Sequence, residues 1–90
     1  MASLKITKAT GEVSEHEITP LMEVAFESYF QGGLLDLYRN NEKQTYKYWL
    51  AHYAWKEAKL QPVAPPFGDE FLKLLKKVEI LQEDETNPNG

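Results

Sequence analysis

Few side chains in this sequence are suited to bond-making chemistry. The two histidines, His16 and His52, are the only side chains that ordinarily titrate near neutrality. His16 stands among Glu12, Glu15 and Glu17, a grouping that raises the question of a metal. A metal site needs three or four converging ligands, however, and alternate residues of a strand point to opposite faces. His16 is therefore expected to be an exposed strand residue. His52 lies between Tyr48 and Trp55. As a general base it would need a nucleophile or a substrate pocket, and the sequence has no G-x-S-x-G elbow. Gly32-Gly33 is not a phosphate loop, because neither G-x-G-x-x-G nor G-x-x-x-x-G-K is present. With no cysteine there is no disulfide, thiolate metal site or thiol nucleophile. No catalytic residue, cofactor site or metal site is assigned, and the chain is expected not to be an enzyme.

What remains is a surface for binding. Residues 42–60, EKQTYKYWLAHYAWKEAKL, contain no Gly or Pro and are rich in helix formers. Tyr46, Trp49, Leu50, Tyr53 and Ala54 recur at i, i+3, i+4, i+7 and i+8, one apolar stripe. Tyr48, His52 and Trp55 make a second face at i, i+4 and i+7. Either this helix is central and packed on both sides, or it lends its second face to another protein. The candidate partner-binding surface is Tyr48, His52 and Trp55 with Lys47, Lys56 and Lys59 around them. Lysines interleaved with aromatics also suit stacked single-stranded nucleic acid. The net charge of −4 argues against that partner.

The elements that must position this helix follow from the rest of the chain. Ninety residues make one domain, read as residues 1–81 with a flexible acidic tail at 82–90. At 42% apolar and 27% charged residues, the composition is that of an ordinary globular domain. No apolar run approaches the roughly 18 residues that span a bilayer, and the N-terminus lacks the apolar region of a signal peptide. Leu4 and Ile6 alternate with Lys5 and Thr7, and Thr10-Gly11-Glu12 suits a turn, so residues 4–18 are expected to form a hairpin. Thr19 caps a helix that opens on Pro20 and buries Met22, Ala25, Phe26, Tyr29 and Phe30. Gly32-Gly33 breaks it, Leu34 to Tyr38 form a short helical turn, and Asn41 caps the next helix. The stretch QPVAPPFG at 61–68 excludes a helix, and Phe67 is placed to pin it to the core. Phe71, Leu74, Leu75 and Val78 then follow helical spacing and predict a last helix. The expected fold is mostly α: a compact bundle of three to four helices preceded by a short N-terminal β-hairpin.

Three stretches, EHEITPLMEVAFESYFQGG, TYKYWLAHYAWKEA and VAPPFGDEFLKLLKKVEI, occur in an order that resembles tail assembly chaperones of long-tailed bacteriophages. The likeness covers roughly residues 15 to 81. Its most telling pieces are Tyr48-Trp49-Leu50-Ala51, Ala54-Trp55-Lys56 and Pro66-Phe67 with Phe71-Leu72; none is a catalytic signature. The resemblance implies a protein of the host cell cytoplasm that is not part of the mature virion. It implies binding to the tape measure protein, a long helical chain kept soluble until tail tube protein polymerises around it. It also implies a longer form of the same protein made by frameshifting. The hairpin edge offers a route to a homo-oligomer; neither nucleic acid nor a membrane is an expected partner. A reading of a different class is a small regulatory adaptor or inhibitor, of a phage or a bacterium, acting by protein–protein binding. Gene position distinguishes the two, since a chaperone should lie directly upstream of a very long helical gene.

Overall fold

A computed structural model describes residues 2–31 and 44–82. The chain opens with strands β1 (Ala2–Lys8) and β2 (Val13–Glu17), followed by helix α1 (Pro20–Phe30). Helix α2 (Gln44–Glu57), a short helix α3 (Asp69–Leu72) and strand β3 (Leu75–Gln82) complete it. The strands form one antiparallel sheet in the order β2-β1-β3, so the first strand is the middle one.

The hairpin forms where the alternation of Leu4 and Ile6 requires it. Gly11 has φ +102°, a conformation that side-chain-bearing residues rarely adopt. The amides of Gly11 and Lys8 close the turn onto the carbonyls of Lys8 and Glu12, both at 2.8 Å. Leu4 and Ile6 are fully buried beneath the helices, and Val78 of β3 joins them on that face. On the opposite face Lys5 stands in register between Glu15 of β2 and Glu79 of β3, with Val13 opposite Thr7 and Leu81 opposite Ser3. One face packed and one face wet is the ordinary arrangement of an antiparallel sheet.

Thr19 caps α1 by accepting a hydrogen bond from the Met22 amide at 3.3 Å, and Pro20 follows at the first helical position. Phe26 is fully buried and meets Tyr46 and Trp49 of α2 edge-on, with ring centroids 5.4 and 5.8 Å apart. Phe30 also stands edge-on to Tyr46. Tyr29, expected in the buried stripe, is 58% exposed, although its ring lies 5.3 Å from that of Trp49.

Two expectations need correction. The fold is not a mostly α bundle but a small mixed α/β layer structure, with helices on one face of a three-stranded sheet. The predicted last helix is only the four-residue α3; from Leu75 the chain is strand β3. Val78 and Ile80 alternate with Lys77 and Glu79, the period of a strand, and β1 needs a partner on its second edge. A two-stranded hairpin is marginal in water, and adding the third strand relieves that. A register shift between Thr7 and Lys8 marks where β3 joins, so that Thr7 faces Lys77 while Lys8 faces Leu75. Gln82 ends β3. The helix break at Gly32-Gly33, the turn at Leu34 to Tyr38, the cap at Asn41 and the tail from residue 83 lie outside the described residues.

Candidate functional site

Helix α2 is enclosed on most sides. Of the first stripe, Tyr46, Trp49, Leu50 and Ala54 are buried and Tyr53 is half-buried; Ala51 is buried as well, and so are His52 and Trp55 from the second face. Trp55 is only 1% exposed and His52 only 7%. As candidates for direct partner contact, these two rings are therefore corrected to core residues of the isolated protomer. What covers them is the chain's own proline-rich segment.

That segment is held by four interactions. The Trp55 indole Nε1–H donates to the Pro62 carbonyl at 2.7 Å. His52 Nε2 lies 2.7 Å from the Pro65 carbonyl; since a carbonyl can only accept, this nitrogen carries the proton. The Lys8 ammonium donates to the Gln61 carbonyl at 2.8 Å and sits 5.2 Å from the centroid of the Trp55 ring, in cation–π contact. Phe67 packs edge-on to His52, with centroids 5.7 Å apart, which is the pinning expected of it. Beneath these lies Phe71, fully buried, edge-on to both His52 at 4.7 Å and Trp55 at 5.4 Å. Burial pushes the His52 pKa below its ordinary value, Lys56 adds to that, and the bond to Pro65 opposes it.

The turn that sends the chain back over α2 is a Schellman motif. The Leu60 amide bonds the Trp55 carbonyl at 3.1 Å and the Lys59 amide bonds the Lys56 carbonyl at 3.1 Å. The residue between helix and return is left-handed, with φ 54°, and it is Lys59 rather than the usual glycine. Turn and pinned segment together enclose a groove of about 420 Å³. Trp55, Leu60, Val63 and Ala64 give it apolar walls, and Lys56 and Lys59 stand at its rim. Val63 is 77% exposed there.

Of the six sequence-selected residues, then, Trp55, Lys56 and Lys59 meet at one groove, with Trp55 contributing wall rather than a protruding ring. His52 lies behind the proline-rich segment. Lys47 and Tyr48 are half-buried nearer the start of α2 and do not line the groove. Sequence reasoning missed Leu60, Val63 and Ala64. The available signal was the prolines just past a helix end with no glycine, which announce a sharp stop but not its direction.

A second groove, of about 370 Å³, lies on the other side of the last turns of α2. Met22 and Ala54 line it with the acidic Glu15, Glu17 and Glu57 and with His16. His16 is half-buried, its Nε2 lies 2.9 Å from Ser14 Oγ, and burial pushes its pKa down. Among the described residues no group of three or more His, Cys, Asp or Glu is arranged to hold a metal ion. No helix among them is long and apolar enough to cross a membrane. Beyond the two grooves, Leu21 and Val24 form an exposed apolar strip on α1, 58% and 60% exposed. No protein-family model matches the chain, and no curated protein or solved structure matches it.

Proposed function

We propose that this chain is a bacteriophage tail assembly chaperone. It binds the tape measure protein in the host cytoplasm and keeps it soluble until tail tube protein polymerises around it. It acts by binding rather than catalysis and does not remain in the mature virion. The reading rests on the order of residue patterns over residues 15 to 81. The observation that supports it best is the groove at the end of α2, whose apolar walls are held in place by hydrogen bonds from Trp55 and His52. A tape measure exposes long apolar helix stripes before assembly, and such stripes aggregate. A small domain that offers a firm apolar groove covers them one anchor at a time, by helix-in-groove packing. Because each contact is modest in area, tube protein can displace the chaperone later.

The test is co-expression of the full chain with the long helical protein encoded next to it, followed by affinity capture. The long protein should appear in the soluble fraction and co-purify. If it stays insoluble and is not captured, the proposal is wrong.

A further inference from the structure

We infer that the groove between the end of α2 and the proline-rich segment is a docking site for an acidic amphipathic helix: an aliphatic side chain enters between Leu60, Val63 and Ala64 while carboxylates one turn away meet Lys56 and Lys59. The inference rests on the reading above that the chain binds a helical partner, and it names the chemistry of the partner segment. Three observations carry it.

The first is charge. Among the described residues, both ionic side chains lining the groove are lysines and no carboxylate lines it, although the whole chain carries −4. Glu57, the only acid in the last turn of α2, lines the acidic groove on the other side instead. A net-acidic protein thus presents a local basic rim around an apolar floor. Lys56, in the last turn of α2, and Lys59, in the turn that follows it, both line this groove. The second observation is rigidity. The groove's far wall is fastened at Gln61, Pro62 and Pro65 by Lys8, Trp55 and His52. An apolar anchor therefore enters a preformed site, and little conformational freedom of the groove is lost on binding. The third is Lys59 itself. A left-handed φ of 54° is strained for a residue with a side chain, and glycine is the residue that relieves it. Lysine in that place puts a charge at the rim at the expense of local stability, as residues at binding sites do.

The test is an NMR titration of the full chain with a capped peptide of Leu-Glu-Glu-Leu-Ala repeats. At about 20 residues it is long enough to be helical alone. A second peptide carries Lys in place of every Glu. The acidic peptide should shift the resonances of Lys59, Val63 and Ala64 and bind at least about tenfold more tightly than the basic one. Added salt should narrow that gap. Lys56 and Lys59 are exposed, so the double variant K56E/K59E should remain folded and invert the preference, while K56Q/K59Q should erase it. Lys59→Gly should bind the acidic peptide several-fold more weakly without lowering the unfolding midpoint, a separation that a merely structural lysine would not show.

Equal binding of the two peptides would overturn the inference, as would shifts falling on Leu21 and Val24 of α1 instead. It would also fall if an oligothymidylate moved the groove resonances while the acidic peptide did not. Acidic-peptide binding without capture of the long helical protein would uphold the groove and remove the chaperone reading. Capture of that protein with no peptide binding would do the reverse.

Discussion

Trp55 shows how one side chain changes its meaning when the fold is known. On the helix it reads as a large ring facing outward with His52, whereas in the fold both rings hold the chain's own carbonyls. Trp55→Phe keeps most of the packing but leaves the Pro62 carbonyl without its donor. Stability should fall by about 1–3 kcal/mol, measured by urea unfolding; an unchanged midpoint would mean that the bond is not formed. His52 and His16 add a pH dependence. Both pKa values lie below the unfolded value of 6.5, so the unfolded chain binds more protons than the native one. Their contribution is complete above 6.5 and is lost as pH falls through the lowered native values. Unfolding midpoints should therefore fall as the pH is lowered below about 6.5. His52→Gln keeps an N–H for Pro65 and does not titrate, so its decline should be shallower, with His16 supplying what is left.

Strand β3 is the element that sequence periodicity misassigned, and the reason is specific. Phe71, Leu74, Leu75 and Val78 satisfy helical spacing, while Val78 and Ile80 satisfy strand spacing over the same ground. Local pattern cannot choose between them. The choice is made by β1, whose second edge is filled only when the C-terminal stretch returns from the far end of the sequence. By contrast the hairpin, with Gly11 at its turn, and the Thr19-Pro20 helix start were legible, because each depends on residues a few positions apart. Lys77→Thr tests the strand. The introduced hydroxyl side chain would face Thr7 on the wet side of the sheet. In a strand the change should be neutral or stabilising by up to about 1 kcal/mol; in a helix it should be destabilising. The Lys77–Glu79 ion pair that it removes, at 3.4 Å, is too exposed to alter that sign.

For the whole molecule, the question is where its apolar surface goes. A chain of ninety residues has a modest core, yet α2 carries aromatic residues all round. The fold accommodates them by sandwiching α2 between the sheet, α1 and the proline-rich return, so the second aromatic face is used internally. Among the described residues, the apolar surface left for another chain includes the groove beside Val63 and the strip at Leu21 and Val24, with Val13 and Tyr29 exposed elsewhere. The candidate site was thus half legible. Lys56, Lys59 and the neighbourhood of Trp55 could be found from helical spacing. The wall built by Leu60, Val63 and Ala64 could not, because proline fixes φ but not the path that the chain takes afterwards.

The enclosure of α2 by its own proline-rich return is most directly measured by hydrogen exchange at the Trp55 indole N–H, followed by NMR on the free chain under native conditions. That proton donates to Pro62 in a 1%-exposed ring, so it should exchange only through global unfolding, with the protection of the slowest core amides. Exchange as fast as that of a free indole, in a chain whose sheet amides remain protected, would show the return lifted away and the aromatic face open to solvent.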